Sequence, residues 1–338
     1  MRQRKIKELL FENGTFFTIE EGNVCGGNID KALKFIKLVK EVGANAVEFQ
    51  LAVADDFYTR NHTGYEIFKK LEYSEREIST LISLSHELGL QFVAVPLSQN
   101  LITKLVELGV DAFNINASDI NNPSIIDTVC KQNLPFFISL PLASEEEIEW
   151  AVNRCKINNN ENFCLLLGQH TMASGENGVK PQDTNLGYIK TLKKLYNKPV
   201  GFIDHTHDIY MPSIALASDA DCVSKHMAFS REEKGSDWFI CLEPDEMKRS
   251  IDYFFSINIS LKNINKTFAP GEKFDKSIMR RSIVAAQNLK MGIKITEEDI
   301  CFKRPGNGIP PSEFSNLLGK RVQKNVVKDQ IITYEDLL

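Results

Sequence analysis

The stretch 199–226, PVGFIDHTHDIYMPSIALASDADCVSKH, decides the fold because it contains two short apolar runs, each ending at a histidine. His205 follows the first run, His226 closes the second, and a helix-like segment separates them. Two such runs joined by a crossover helix are neighbouring parallel strands, so their carboxyl ends lie side by side. Two imidazoles there predict a site for a divalent metal ion. The alternative is that one or both are hydrogen-bonded histidines of the core.

The same alternation of strand-like and helix-like runs extends over the first ~260 residues. The strand-like runs are 16–20, 46–50, 91–96, 112–116, 135–140, 163–168, 199–204 and 221–226. Asn28 and Ser74 are expected N-caps of the first two long helices, and Gly43 and Gly89 are expected to end them. Eight consecutive units of this kind predict an α/β fold, a (β/α)8 TIM barrel. A doubly wound open sheet is the competing architecture, but no GxGxxG follows the first strand.

The end of the chain has a different character from the barrel-like part. We assign 1–260 to the barrel, 261–280 to a polar linker and 281–338 to a small second domain. Within the last segment, NLKMGIKITEEDI (288–300) is echoed by NVVKDQIITYEDL (325–337). In both copies a threonine opens a short acidic turn and an aspartate follows three residues later, close to a capping box. The repeat predicts a pseudo-symmetric domain.

Composition restricts the classes of function. The net charge of −5 leaves no basic footprint for nucleic acid. No apolar run reaches the ~18 residues that a membrane-spanning helix needs. The charged amino terminus is not followed by the apolar segment of a signal peptide. Seven scattered cysteines without a CxxC pair favour reduced thiols in a cytoplasm.

The predicted strand ends carry a polar, acidic set of side chains. The set comprises Glu20, Glu21, Cys25, Glu48, Gln50, Asn114, Asn116, Ser118, Asp119, Ser139, Gln169, His170, Thr171, Asp204, His205, His226 and Asp237. Lys225 alternates with His226 and should face away from this rim. Asp204 is a candidate for the carboxylate that fixes the tautomer of His205. A rim so poor in cations disfavours a free phosphate dianion and suits a neutral polyhydroxy ligand with a metal that polarises its carbonyl.

Several longer motifs identify a family. They are IEEGNVCGGNIDKALKFIKLVKEVGANAVEFQ (19–50), IDHT (203–206), SKHM (224–227), GSDWFICLEPDEM (235–247) and RRSIVAAQNLKMGIKITEEDICFKRPGNGI (280–309). From Glu20 to Leu337 the chain resembles the sialic acid synthase family, which makes N-acetylneuraminic, legionaminic and pseudaminic acids. The resemblance implies a TIM barrel followed by an antifreeze-like (SAF, β-clip) domain.

The resemblance also implies an activity, namely condensation of phosphoenolpyruvate with an N-acetylated amino-sugar aldehyde. It implies a divalent metal, manganese or magnesium, held by His205 and His226. Glu20, Gln50 and Asp237 would contact the sugar at the catalytic site. The implied substrate-binding positions are Asn114, Asp119, Ser139, His170 and Arg304. Arg304 would reach the barrel of the partner subunit from the antifreeze-like domain of a homodimer.

The departures from the family pattern cluster where phosphoenolpyruvate would bind. Lysines of the family are replaced by Glu48 and Asn114, threonine by Val95, and serines by Ala117 and Ile203. Ser139 alone remains of the residues assigned to the phosphate and carboxylate. Charge-assisted hydrogen bonds to an anion contribute roughly 1.5–3 kcal/mol each, so losing several of them weakens binding by many powers of ten.

Three hypotheses follow from this pattern of retained and replaced residues. The first is a working condensation synthase of the family type. The second is a divergent enzyme that keeps metal and sugar but uses a less charged donor, or performs aldol or isomerase chemistry. The third is a non-catalytic paralogue that binds a sugar or regulates a partner protein.

Overall fold

The structure is a computed structural model that describes residues 5–11, 15–171, 178–234 and 237–338. The chain forms two compact units, Met1–Lys262 and Asn263–Leu338. The segment predicted as a linker, 261–280, includes the end of one helix and the whole of another, Glu272–Met279. No helix in the described part of the chain is long and apolar enough to cross a membrane.

The first unit is a closed barrel of eight parallel strands. The strands are β1 (Phe16–Glu20), β2 (Ala46–Leu51), β3 (Gln91–Pro96), β4 (Ala112–Ile115), β5 (Phe136–Ser139), β6 (Phe163–Leu167), β7 (Val200–Asp204) and β8 (Cys222–His226). Each strand pairs with the next in sequence, and β8 closes the ring against β1, with His226 opposite Glu20. The predicted TIM barrel is confirmed, and the open sheet is excluded.

Helices alternate with these strands and continue into the second unit. They are α1 (Ile6–Phe11), α2 (Ile29–Val42), α3 (Ala54–Phe57), α4 (Tyr65–Leu71), α5 (Glu75–Glu87), α6 (Gln99–Leu108), α7 (Pro123–Cys130), α8 (Glu145–Ile157), α9 (Tyr188–Tyr196), α10 (Met211–Ala217), α11 (Pro244–Lys262), α12 (Glu272–Met279) and α13 (Phe314–Leu317). Asn28 caps α2, and Ser74 forms a capping box with Glu77 at the start of α5. Gly43 and Gly89 follow these helices with positive φ, as predicted.

Alternation along each strand divides the barrel into an outer and an inner face. Residues such as Phe49, Phe92 and Phe202 point outward and pack in the core that the helices cover. The inner face begins with an apolar layer onto which α1 packs. The strand residues of that layer are Phe16, Ala46, Val93, Ala112, Phe137, Cys164, Leu166, Ile203 and Cys222, and they cluster with Ile6, Leu9 and Leu10 of α1. Towards the carboxyl ends of the strands the inner face becomes polar, and the apolar layer supports this polar end.

Close packing of the inner face makes Gly201 a sensitive position. A Cβ atom at Gly201 would lie 2.3 Å from Cys222 Sγ and 2.8 Å from Leu166 Cδ2. We expect Gly201→Ala to lower the free energy of unfolding by about 1–3 kcal/mol, because the barrel interior must shift to admit a methyl group. Urea denaturation measures the loss, and Gly187→Ala is the control because a Cβ there meets nothing within 4 Å. Equal stability of the two variants would refute the expectation.

The second unit has its own small core and an antiparallel pair of strands, β9 (Ser282–Ala285) and β10 (Ile300–Lys303). Its buried apolar residues are Ile283, Ala285, Leu289, Ile295, Ile300, Ile309, Leu317, Val322, Val326, Ile332 and Leu337. They come from both copies of the repeat and from the segments between and around them. The unit therefore buries an apolar cluster of its own.

The predicted internal symmetry of the second unit is confirmed by reciprocal contacts. Asn288 Oδ1 accepts a hydrogen bond from the backbone N–H of Lys328, and Asn325 Oδ1 accepts one from that of Met291, both at 2.8 Å. Lys328 and Met291 occupy equivalent positions in the two copies. The capping boxes are Thr296 with Asp299 and Thr333 with Asp336. The sequence repeat is thus a structural repeat, and its two copies are joined by reciprocal hydrogen bonds.

Candidate active site

A cavity of about 240 Å³ opens at the carboxyl ends of the barrel strands. Its lining combines acidic, amide, hydroxyl and imidazole side chains with a few apolar ones. The lining residues are Glu20, Glu48, Gln50, Val95, Asn114, Asn116, Ala117, Ser118, Ser139, Pro141, Leu142, His170, Ile203, His205, His226 and Asp237. Active sites of TIM barrels lie at this end of the strands.

His205 and His226 lie together in this cavity, with ring centroids 5.3 Å apart. His205 Nδ1 lies 2.6 Å from the carbonyl oxygen of Gln169. A carbonyl only accepts, so Nδ1 donates and the lone pair of this imidazole is on Nε2. His226 Nε2 lies 3.2 Å from Glu20 Oε2, and its Nδ1 has no hydrogen-bond partner among the described residues. The expected convergence of the two rings is therefore present.

Both imidazoles are held in the neutral form that a metal ion requires. Burial, with a smaller contribution from neighbouring positive charge, lowers the pKa of His205 and of His226 to about 3. Within the described residues, no group of three or more His, Cys, Asp or Glu side chains is arranged as a complete metal site. Two neutral imidazoles beside a carboxylate nevertheless fit a divalent cation that takes its remaining ligands from substrate or water.

The expectation that Asp204 fixes the tautomer of His205 is wrong. Asp204 Oδ2 lies 2.6 Å from Lys225 Nζ, its other oxygen accepts from the backbone N–H of Thr206, and both charged side chains are fully buried. Lys225 also donates to the Thr206 carbonyl oxygen at 2.8 Å. Asp204 and Lys225 are register partners on the outer face of β7 and β8, so they face away from the cavity. The predicted orientation of Lys225 is confirmed, and Gln169 orients His205 instead.

A chain of hydrogen bonds holds the carboxylate next to His226. Asn23 Nδ2 donates to Gln50 Oε1 at 3.2 Å, and Gln50 Nε2 donates to Glu20 Oε1 at 2.7 Å. The other oxygen of Glu20 faces His226. This chain brings together Glu20 and Gln50, two of the three residues expected at the catalytic site.

A second chain crosses the cavity from β5 to β2. Ser139 Oγ donates to Asn114 Oδ1 at 3.0 Å, and Asn114 Nδ2 donates to Glu48 Oε1 at 2.9 Å. All three side chains are buried. Both ends of the Asn114 amide are engaged, so the substituted positions 48 and 114 form one connected unit.

The carboxyl groups of the cavity are shifted towards their uncharged forms. Burial, reinforced by the negative charges of Glu20 and Glu21, raises the pKa of Asp237 to about 7. Burial and the nearby Glu20 carboxylate raise the pKa of Glu48 well above its usual value. Burial also raises the pKa of Glu20, opposed by its hydrogen bond from Gln50. Perturbed carboxyls in one cleft are typical of a site that transfers protons.

The structure places the predicted site residues unequally. Ser139, His170 and Asn114 line the cavity, together with the substituted positions Glu48, Val95, Ala117 and Ile203. Asp119 lies outside the lining, in a 3-10 turn where its carboxylate accepts from Asn122 at 2.8 Å. Arg304 is exposed in the second unit. Five of the substituted positions, Glu48, Val95, Asn114, Ala117 and Ile203, thus line one cavity, whereas Asp119 does not.

Some residues of the site were not predicted from the sequence. A Cβ atom at Gly22, which has φ of +55°, would lie 2.5 Å from His226 Nδ1, so only glycine lets the loop pack against that imidazole. Pro141 and Leu142, just beyond β5, form part of the cavity wall. The hydrogen bond from His205 to the Gln169 carbonyl could not be predicted, because every residue has a backbone carbonyl and the sequence does not say which one is used. Gly22 directly follows Glu20, which ends β1, and Glu21, so its place next to two candidate site residues could have indicated its role.

Comparison with known proteins identifies both units of the chain. Residues 35–266 match the model of the NeuB family, and residues 280–338 match that of the SAF domain. The first match alone covers more than half of the chain. The chain belongs to the NeuB family. Its second unit is a SAF domain, as the resemblance to sialic acid synthases implied.

Relatives of this NeuB family chain are similar over nearly their whole length. An uncharacterized protein of Methanocaldococcus jannaschii is 32% identical, over 96% of this chain and 95% of the relative. The N,N'-diacetyllegionaminic acid synthase of Legionella pneumophila is 29% identical, over 96% and 95%. A crystal structure of the N-acetylneuraminic acid synthetase of Leptospira borgpetersenii, in complex with citrate, has a TM-score of 0.70 at 28% identity, covering 79% of this chain and 93% of that one.

Proposed function

We propose that this NeuB family chain is a metal-assisted, carbon–carbon bond-forming synthase of the transferase type. It condenses an N-acetylated amino-sugar aldehyde with a three-carbon donor to give a sugar acid. The observation that carries the proposal is the pair of neutral imidazoles, His205 and His226, beside the hydrogen-bonded Glu20. The names of the characterized relatives, sialic, legionaminic and pseudaminic acid synthases, support the same class of reaction.

The described side chains divide the work of such a reaction. His205 and His226 would hold the cation, either manganese or magnesium, which supplies Lewis-acid polarisation of the aldehyde oxygen when bound. Glu20, oriented by Gln50, is placed to accept hydrogen bonds from sugar hydroxyls. Asp237, with its pKa near 7, is suited to exchange a proton at neutral pH. The cavity thus combines positioning, polarisation and proton transfer.

The positions at which this chain departs from the family motifs are those expected to bind the donor. Phosphoenolpyruvate is the donor that the resemblance implies. The connected side chains of Glu48, Asn114 and Ser139 favour a second candidate, an enzyme that keeps metal and sugar but takes another donor. The absence of lysine and arginine among the described lining residues supports the second candidate.

We also propose that the protein is a cytoplasmic homodimer in which Arg304 of the SAF domain completes the sugar site of the partner subunit. The resemblance of 280–309 to the family motif supports this arrangement. Free cysteines at all seven positions agree with a reducing compartment.

Calorimetric titration of the protein with N-acetylmannosamine and related amino-deoxy hexoses, in the presence of Mn²⁺, tests the proposed function. We expect saturable binding that depends on the metal and is lost in His205→Ala. The matched control is His86→Ala, because His86 is half-exposed on the barrel surface and pairs with Asp111. Absence of binding across the whole sugar panel would contradict the proposed function.

A further inference from the structure

Glu48, Asn114 and Ser139 form one end of the cavity, which we call the β2–β5 subsite. The side chains of this subsite include a carboxyl group and no cation. Among the described lining residues of the cavity there is no lysine or arginine. Lys225, on β8, is engaged by Asp204 and the Thr206 carbonyl on the outer face. The cavity therefore offers an incoming anion no side-chain cation from the described part of the barrel.

Both charge states of Glu48 disfavour a phosphate dianion in the β2–β5 subsite. An ionised Glu48 repels the dianion at close range and in a buried place, where charge interactions are poorly screened. A protonated Glu48 offers one hydrogen-bond donor where a dianion needs several charged ones. In neither state does the Glu48 side chain itself favour phosphate in this subsite.

The hydrogen-bond donors and acceptors of the β2–β5 subsite that are not used within the protein indicate which chemical group can bind there. Asn114 uses one N–H and one lone pair within the chain, which leaves one of each for a ligand. Ser139 Oγ donates to Asn114 and still accepts, and Glu48 keeps its Oε2. Such mixed donors and acceptors match a hydroxyl or a carbonyl group. Val95, Ala117 and Ile203 add apolar lining to the same cavity.

We propose that the β2–β5 subsite binds an uncharged hydroxyl- or carbonyl-bearing group of the donor and excludes phosphate. This inference rests on the second candidate of the proposed function, in which the protein keeps metal and sugar but does not use phosphoenolpyruvate. With a wholly uncharged donor such as dihydroxyacetone, aldol addition to the aldehyde would give a ketose and not a sugar acid. Substrate specificity of the chain is then set by Glu48 and Asn114, the two positions where the family pattern has lysine.

Ligand-observed NMR with the full-length protein, Mg²⁺ and a saturating amino sugar tests this proposal on the wild type alone. Mg²⁺ is used because it does not broaden the signals. The probes are dihydroxyacetone as the uncharged ligand, and phosphoenolpyruvate and inorganic phosphate as the anions. We expect saturable binding of dihydroxyacetone and no saturable binding of either anion up to about 10 mM, the range of very weak complexes. Saturable binding of phosphoenolpyruvate below that concentration, displaced by dihydroxyacetone, would overturn the proposal.

Two variants locate the effect in the β2–β5 subsite. Asn114→Leu keeps the size of the side chain but removes its hydrogen-bonding groups. It should lower the affinity for dihydroxyacetone at least tenfold. The double variant Glu48→Lys with Asn114→Lys should raise the affinity for inorganic phosphate at least tenfold. The control Glu107→Lys, which changes an exposed surface residue, should leave that affinity unchanged. Unchanged dihydroxyacetone affinity in a folded Asn114→Leu would overturn the assignment. Absence of amino-sugar binding to the wild type would contradict the proposed function and not the assignment of the subsite. Failure of the proposed function can therefore be told apart from failure of this inference.

Discussion

Replacement of His205 or His226 by alanine is expected to weaken Mn²⁺ binding about hundredfold or more, and to remove metal-dependent turnover with it. The two imidazoles are neutral and adjacent, and each supplies a nitrogen donor that water replaces poorly. Mutation of a residue that only hydrogen-bonds to a metal ligand typically lowers metal affinity 10–100-fold. Removal of a ligand itself should lower the affinity at least as much. Electron paramagnetic resonance of free Mn²⁺ measures the dissociation constant directly.

The His86→Ala variant is the control for this first prediction, because it removes an imidazole from the barrel surface. Its Mn²⁺ affinity should equal that of the wild type. If His205→Ala and His226→Ala also bind Mn²⁺ as the wild type does, the imidazole pair is not the metal site.

The second large effect concerns stability and the buried ion pair of Asp204 and Lys225. Lys225→Met should lower the free energy of unfolding by about 3–5 kcal/mol, because it leaves the Asp204 carboxylate buried without its counter-charge. The double variant Asp204→Leu with Lys225→Met should recover much of the loss, since buried pairs replaced by apolar residues are often tolerated. Urea denaturation monitored by circular dichroism gives the three values.

Lys248→Ala is the matched control for the ion pair. Lys248 forms an exposed i, i+4 pair with Asp252 on α11, of a kind that contributes roughly 0.3–0.5 kcal/mol. A loss of comparable size in Lys225→Met would show that the buried pair does not stabilise the barrel as we describe.

Much of the fold follows from local sequence signals. Apolar runs of regular spacing, with Asn28 and Ser74 before helices and glycines after them, specify successive βα units. Parallel strands in sequence order then bring the ends of β7 and β8 together, so the adjacency of His205 and His226 could be predicted. The acidic turns of the second unit were predictable because their capping boxes are local.

Other features depend on register and could not be predicted in the same way. Asp204 is next to His205 in sequence, but alternation directs its side chain to the outer face, where Lys225 lies opposite. The alternation that predicts an outward Lys225 also predicts an outward Asp204, because the two residues are register partners on adjacent strands. The bond between Asn114 and Glu48 joins residues on two strands that are not neighbours. Such a contact requires the packing of the barrel interior, which no local pattern specifies.

Anomalous diffraction at the manganese absorption edge, from crystals grown with Mn²⁺ and N-acetylmannosamine, tests the paired imidazoles most directly. We predict one strong peak within coordination distance of a ring nitrogen of both His205 and His226. Rings that point apart, or a manganese peak located elsewhere with none at these two residues, would contradict the proposed metal-assisted chemistry.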